Sequence, residues 1–209
     1  MDSPAIARAV VEEVLCSGVT DVVVCPGSRS APLALTLADA ERRGLVRMHV
    51  RLDERSGAYL ALGLAKISGR PVAVVTTSGT AAVNLHPAIV EAAYSGLPLV
   101  AITADRPGAV RGSGANQTID QRGVYGVDVV DGVDLTTVSE ADLRATVTAL
   151  MGMAVSGQGP VHLNVPLAEP LVGPGEHSIG EIAVRGTLRP PAVVPVPLDA
   201  ILPAGVNAA

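Results

Sequence analysis

A glutamate at the start of a predicted helix is the residue best placed to do chemistry in this sequence. Glu54 follows Asp53, which ends the apolar run 45–52, and a helical pattern of apolar residues then extends to Gly69. We expect run 45–52 to form a buried strand and Glu54 to lie at its carboxyl end, the edge where open α/β sheets bind ligands. The structural alternative is that Asp53 caps the helix and Glu54 interacts with its dipole.

Three further polar segments follow predicted strands. Residues 25–30, CPGSRS, combine a glycine, hydroxyls and a guanidinium, which suits a carboxylate or a phosphate. Residues 77–80, TSGT, offer hydroxyls and backbone N–H groups to a polar heterocycle. Residues 105–117 contain Arg106, held extended by the next proline, and a terminal Asn-Gln pair that can bind hydroxyls or carboxylates. Taken singly, each is equally an ordinary turn, a capped helix start or a solvated loop.

Strand-like and helix-like apolar patterns alternate along the chain with short connections. This alternation predicts a doubly wound, mostly parallel sheet of about six strands with helices on both faces. Right-handed crossovers would bring the four polar segments to one edge of that sheet. The first helix is expected to begin with Ser3 as its cap, and another to run over 81–96 with a possible kink at Pro87. The predicted strands are 21–25, 45–52, 71–76, 97–103, a weaker 127–133, and 160–165.

Composition limits the kinds of function. Nearly half of the residues are apolar, but aromatic residues make up only 1%, with neither Phe nor Trp. A core of Val, Leu, Ile and Ala suits a parallel sheet. A net charge of −5 without a basic patch argues against nucleic-acid binding, and no apolar run is long enough to span a membrane. Two cysteines and four scattered histidines favour a reducing cytoplasm and no metal site.

The composition changes near the carboxyl end. Residues 188–209 are rich in Pro, Ala and Val and have little periodicity, which is typical of a linker. We therefore expect a single domain over 1–186, and in 187–209 a linker towards a missing second part.

Six segments taken in order carry a family resemblance. They are CPGSRSAPL, RLDERSGAYLALGLAKISG, VVTTSGTAAVNLHPAIVEA, ITADRP, GANQTI and VHLNVPLAEPL. Together they resemble the N-terminal pyrimidine-binding domain of thiamine-diphosphate enzymes, over about residues 7–171. Within that family they look most like the menaquinone-pathway synthases, which decarboxylate 2-oxoglutarate on the cofactor and add the succinyl unit to isochorismate. The resemblance implies a thiamine-diphosphate pyrimidine-binding fold.

The resemblance also implies roles for individual residues. Glu54 would be the catalytic group, because the glutamate at this place in the family hydrogen-bonds a nitrogen of the cofactor pyrimidine. The other implied cofactor-binding residues are Pro26, Thr77, Ser78 and Gly79. The implied substrate-binding residues are Ser28, Arg29, Arg106, Asn116 and Gln117.

The sequence departs from the family in one respect. Nothing in it matches the GDG…N segment that holds Mg²⁺ and the cofactor diphosphate in these enzymes. Because the two cofactor halves come from different subunits in the family, we expect a homo-oligomer, a dimer or tetramer, and a chain that is inactive alone. Two alternatives stay open: a pyrimidine-only subunit of a two-chain thiamine-diphosphate decarboxylase, and a non-catalytic module for dimerisation or ligand binding.

Overall fold

Six strands, all parallel, form a single sheet in the computed structural model, which describes residues 1–136, 139–173 and 177–185. The order across the sheet is β2-β1-β3-β4-β6-β5, so the chain reverses its direction of winding between β1 and β3. Such a switch point opens a crevice at the carboxyl ends of the two strands. The strands are β1 (Asp21–Val24), β2 (Arg47–Val50), β3 (Val72–Thr76), β4 (Leu99–Asp105), β5 (Asp131–Asp134) and β6 (Val161–Pro166).

Helices cover both faces of the sheet, which confirms the predicted fold class. On one face, α1 (Ser3–Cys16), α2 (Ala31–Arg42) and α6 (Glu140–Val155) bury one apolar cluster. On the other, α3 (Glu54–Ser68) and α5 (His86–Ser95) bury a second cluster, and the single turn α4 (Thr80–Val83) precedes α5. The strands β1, β3 and β4 are buried along their whole length, as the unbroken apolar sequence predicts. Of the helices that the structure describes, none has the length and apolar character needed to cross a membrane.

The expectation of a buried strand over 45–52 is wrong. Strand β2 has only four residues, lies at the edge of the sheet, and is half-exposed or exposed at every position. An apolar run does not reveal how many neighbours a strand will have, and β2 has only β1 beside it.

The end of α3 at Gly69 is as predicted, but two other predictions at helix ends differ from the structure. The cap of α1 is Asp2, whose carboxylate accepts the Ala5 N–H (2.9 Å), while the Ser3 hydroxyl instead donates to the Ala168 carbonyl (2.6 Å). The helix expected over 81–96 is divided into α4 and α5, because Pro87 lies in the first turn of α5 and cannot continue a preceding helix. The weaker strand expected over 127–133 is observed as β5, which begins only at Asp131 because Gly126–Asp128 form a single turn of 3-10 helix.

The proposed linker 187–209 lies outside the described residues.

Candidate active site

Five of the predicted site residues meet at the switch point of the sheet. One cavity at this edge is lined by Ser28, Arg29, Thr77, Arg106 and Gln117. A cleft of about 440 Å³ shares both arginines with that cavity and adds Asn116 and Glu169 to its lining. The turns after β1 and β3 and the loop after β4 supply these residues, because parallel strands present their carboxyl ends at the same edge.

A glycine permits the close approach of the turns after β1 and β3. A Cβ atom added to Gly27 would lie 2.4 Å from Cβ of Thr77, closer than two carbon atoms can pack. The loop after β4 also lies close to Gly79, where an added Cβ would be 2.9 Å from Cγ of Gln117. Three segments that are distant in sequence therefore form one contiguous surface.

Arg29 is held almost entirely within the protein. Its side chain is 15% exposed, Nη1 donates to the Leu167 carbonyl (2.9 Å), and Nη2 lies 3.3 Å from a carboxylate oxygen of Glu169. Its Nε is buried and has no partner among the described residues. The Glu169 side chain, in contrast, is 68% exposed. A bound anion can therefore displace Glu169 and take its place beside the Arg29 guanidinium.

Arg106 is fixed at both its backbone and its side chain. Its N–H donates to Oδ1 of Asp105 (2.7 Å), and Nη1 donates to the Gln117 carbonyl (3.0 Å) and to the Ser78 hydroxyl. Burial lowers the pKa of Arg106 from its usual range, and the nearby Arg29 guanidinium lowers it further. Two guanidinium groups facing one cavity favour a ligand with more than one negative charge.

The turn after β3 is tied to the loop that follows β4. The Gln117 side-chain amide donates to the Ser78 carbonyl (3.0 Å), and the Ser78 hydroxyl is within 3.2 Å of the Gln117 carbonyl. The Gly79 N–H donates to the side chain of Gln121 (2.8 Å). Thr77 and Ser78 are buried, whereas Pro26 is exposed. Ser78 and Gly79, which the resemblance assigns to cofactor binding, are thus hydrogen-bonded to the loop that carries Gln117, which it assigns to substrate binding.

Glu54 is the first residue of α3, as predicted. The Asp53 carboxylate caps the helix by accepting the Ser56 N–H (2.7 Å). Glu54 is half-exposed at the same edge of the sheet but lines neither cavity, and no hydrogen bond or ion pair of its carboxylate is found in the part of the chain that the structure describes. It is therefore free to bind a ring nitrogen of a ligand.

The Cys25 thiol is close to Glu54 and is buried. Burial raises its pKa to about 12, and the charges of Glu54 and Asp53 contribute to the increase. A thiol that stays protonated is not a nucleophile, so the structure gives Cys25 a packing role.

The site fits one half of the cofactor that the resemblance implies. A carboxylate at a helix start and the buried hydroxyls of Thr77 and Ser78, all after parallel strands of the same sheet, suit the pyrimidine ring. Within residues 1–136, 139–173 and 177–185, no group of three or more His, Cys, Asp or Glu side chains could hold a metal ion.

Glu169 was not singled out by its type or spacing, yet it lines the cleft with both arginines. Its position three residues after β6 offered a signal, because the carboxyl end of every parallel strand reaches the same edge. Gln121, whose side chain accepts the Gly79 N–H, gave no such signal.

Comparison with known proteins identifies the family. Residues 5–124 match the model described as "Thiamine pyrophosphate enzyme, N-terminal TPP binding domain". The chain is 44% identical to a protein of Mycobacterium tuberculosis (strain H37Rv) and 45% identical to one of Mycobacterium avium (strain 104), over 92% of its own length in both cases. Both relatives are named 2-succinyl-5-enolpyruvyl-6-hydroxy-3-cyclohexene-1-carboxylate synthase. The chain spans only 38% and 39% of these relatives' lengths.

The matched region contains the turns after β1 and β3, the start of α3 and the loop up to Gln121, so the family match covers nearly all of the candidate site. The resemblance read from the sequence motifs is thereby confirmed. The chain belongs to the thiamine pyrophosphate enzymes and carries their N-terminal TPP binding domain.

Proposed function

We propose that this chain is the N-terminal, cofactor- and substrate-binding part of a thiamine-diphosphate-dependent transferase of menaquinone biosynthesis. The enzyme would decarboxylate 2-oxoglutarate on the cofactor and add the succinyl unit to isochorismate. The observation that carries this proposal is the pair Arg29 and Arg106 in one cavity at the switch point, since both substrates carry several negative charges. The names of the relatives support the same reaction.

The residues of the cavity divide into charged and neutral contacts. Arg29 and Arg106 would bind substrate carboxylates, for which the planar guanidinium is the best match. Ser28, Asn116 and Gln117 would orient the remaining oxygens by hydrogen bonds. Because Arg106 and Gln117 are already bonded to each other and to Ser78, little ordering would be needed when a substrate binds.

Glu54 would be the catalytic group of this part. Its carboxylate would share a proton with a pyrimidine nitrogen, a contact that strengthens when water is excluded. Pro26, Thr77, Ser78 and Gly79 would form the surface against the ring. When bound, thiamine diphosphate supplies stabilisation of the negative charge that decarboxylation leaves behind.

The remaining half of the cofactor site would come from another part or another chain. That half would hold Mg²⁺ and the diphosphate, and the assembled enzyme would be a cytoplasmic homo-oligomer, a dimer or tetramer. The present chain would then comprise a pyrimidine-binding domain over 1–186 and a linker over 187–209, and would be inactive alone.

Turnover of isochorismate with 2-oxoglutarate, Mg²⁺ and thiamine diphosphate tests the proposal. We expect product from the full-length protein that the proposal implies, and none from the present chain. Activity of this chain unaided would refute its role as a part. Turnover of another 2-oxo acid by the full-length protein, without isochorismate, would instead support the two-chain decarboxylase type.

A single substitution tests the role of Glu54. We expect Glu54→Gln to lower kcat of the full-length protein at least about 100-fold, the usual contribution of a positioned acid–base group. Glu91→Gln, on the exposed side of α5, is the matched control and should change kcat less than twofold. A folded Glu54→Gln protein with normal turnover would exclude the catalytic role and favour a non-catalytic binding module.

A further inference from the structure

We propose that Arg111 is a positioning residue for the anion-binding cavity, holding the loop after β4 in its binding conformation before a substrate arrives. The loop, residues 106–122, carries three of the proposed substrate-binding residues: Arg106, Asn116 and Gln117. The inference rests on the proposed function only for the identity of the substrates, since the anchoring itself is a property of the loop.

The guanidinium of Arg111 is inserted between two carboxylates at the edge of the sheet. Nη1 and Nη2 bind the two oxygens of Asp134 at 2.6 and 2.7 Å, and Nη2 also lies 2.8 Å from Oδ2 of Asp105. The Arg111 side chain is only 13% exposed and Asp105 is wholly buried. A bidentate contact of this kind fixes the orientation of the guanidinium as well as its distance from Asp134.

The same carboxylate of Asp105 holds the backbone of Arg106. Its Oδ1 accepts the Arg106 N–H (2.7 Å), while its Oδ2 forms an ion pair with Nη2 of Arg111 (2.8 Å) and accepts from the Asn164 amide (2.9 Å). Asn164 also donates to Oδ1 of Asp134 (2.7 Å), so one amide joins the two acids. Arg111 is therefore two contacts away from the arginine that faces the cavity.

The loop has no comparable anchor between Pro107 and Asn116. Among the described residues, Arg111 is the only side chain of that stretch that hydrogen-bonds beyond residue 118; the Ser113 hydroxyl, for example, bonds to Val110 within the loop. The stretch contains two glycines with positive φ, Gly112 and Gly114. Such a sequence has high conformational entropy when it is not anchored.

Removing the guanidinium would leave two carboxylates facing each other. Hydrogen bonds from Arg111 and Asn164 offset the burial of Asp134 and keep its pKa below the usual range. Without Arg111 the two acids repel, and the link to the Arg106 backbone is loosened with them. The substrate would then have to order the loop as it binds, which weakens binding without altering the bound chemistry.

Steady-state kinetics of the full-length protein separates positioning from other roles. We compare Arg111→Met, which keeps an unbranched stem but removes the guanidinium, Arg111→Lys, which keeps the charge, and Arg122→Met. Arg122 lies on the same loop, is exposed, and among the described residues forms an ion pair with the exposed Asp120 alone, so it is the matched control.

For Arg111→Met we expect KM for isochorismate or 2-oxoglutarate to rise at least about tenfold, with kcat and thiamine-diphosphate affinity within about threefold of the starting protein. Arg111→Lys should recover part of the loss, and Arg122→Met should stay within about twofold. An unchanged KM for both substrates, or a loss confined to kcat, would overturn the inference.

Hydrogen exchange without substrates tests the anchoring separately from the reaction. In Arg111→Met, we expect the amides of 107–117 to exchange at least about tenfold faster, while those of β3 and β4 keep their rates. Unchanged exchange in the loop would overturn the inference even if turnover is observed. If the starting protein shows no turnover, the proposed function fails but the exchange result still decides the anchoring. Should Arg111→Met not fold, the double variant with Asp134→Asn removes the repulsion and takes its place.

Discussion

The two arginines of the cavity differ in the partners that they would have to give up for a ligand. Arg106 is bonded to groups that belong to the site itself, the Ser78 hydroxyl and the Gln117 carbonyl. Arg29 is paired with a carboxylate, Glu169, which is chemically the same kind of group as the proposed substrates carry. A substrate carboxylate must therefore compete with Glu169 for one face of Arg29.

Replacing Glu169 tests this competition. Because this carboxylate is mostly exposed, its ion pair with Arg29 is worth at most about 1 kcal/mol. We expect Glu169→Gln to unfold at nearly the same urea concentration and to lower KM for an anionic substrate by up to about fivefold, which is what about 1 kcal/mol corresponds to. Glu181→Gln, an exposed change outside the cavity, is the control. A higher KM would show that Glu169 orients Arg29 instead of competing for it.

A buried histidine makes stability depend on pH. His162 packs its ring against Tyr125 (centroids 4.6 Å apart) and is hydrogen-bonded to the Thr103 hydroxyl (2.8 Å). Burial lowers its pKa to about 4, while the charge of Asp134 acts weakly in the opposite direction. In the unfolded chain this imidazole is protonated near pH 6.5. As the pH falls below 6.5, His162 is therefore protonated in the unfolded state before it is protonated in the folded state, which favours unfolding.

The contribution of His162 to the free energy of unfolding should therefore be fully present above about pH 6.5. It should decrease as the pH falls towards about 4, by a total of about 3 kcal/mol. Urea unfolding at several pH values would measure the slope. His162→Gln retains a hydrogen-bonding side chain that does not titrate, and its slope between pH 6.5 and 4 should be smaller than that of the starting protein. Equal slopes would contradict the assignment.

At the scale of elements, signals confined to a few consecutive residues were sufficient to predict most helix ends. Gly69 ends α3 in the left-handed conformation and Ser139 caps α6, both readable from the sequence. The edge position of β2 was not readable, because it depends on which strand lies beside it. Five of the predicted residues line one cavity, but the contacts of Asn164 with Gln121 and Asp105 join residues 43 and 59 positions apart and leave no local pattern.

The close contact between the turns after β1 and β3 can be tested by substitution of Gly27. Gly27→Ala would place a methyl group against Thr77, and the two turns would have to separate. We expect a loss of about 1–3 kcal/mol in the free energy of unfolding, the usual cost of overpacking. The double variant Gly27→Ala with Thr77→Gly removes the opposing side chain and should recover part of it. A double variant no more stable than Gly27→Ala alone would show that the contact is not the cause.

At the scale of the whole molecule, a segment near the carboxyl end is part of the folded unit. Residues 177–185 cross the face formed by α1 and α2, where the Gly180 N–H donates to Glu12 (2.8 Å) and Arg185 donates to Glu13 (2.6 Å). The Ile179 side chain enters the larger apolar cluster and is only 4% exposed. These contacts support our proposal that the domain extends to residue 186.

Ile179→Ala tests whether this segment stabilises the domain. Removing a buried isoleucine side chain costs about 2–5 kcal/mol when its surroundings stay packed around the cavity. Because the segment lies near a chain end and can detach, we expect the lower part of that range, about 2 kcal/mol, in urea unfolding. Val184→Ala is the matched control: Val184 lies in the same segment but is 61% exposed, so its change should stay within about 0.5 kcal/mol. If both variants unfold like the starting protein, the segment does not belong to the folded domain, and its boundary lies before residue 177.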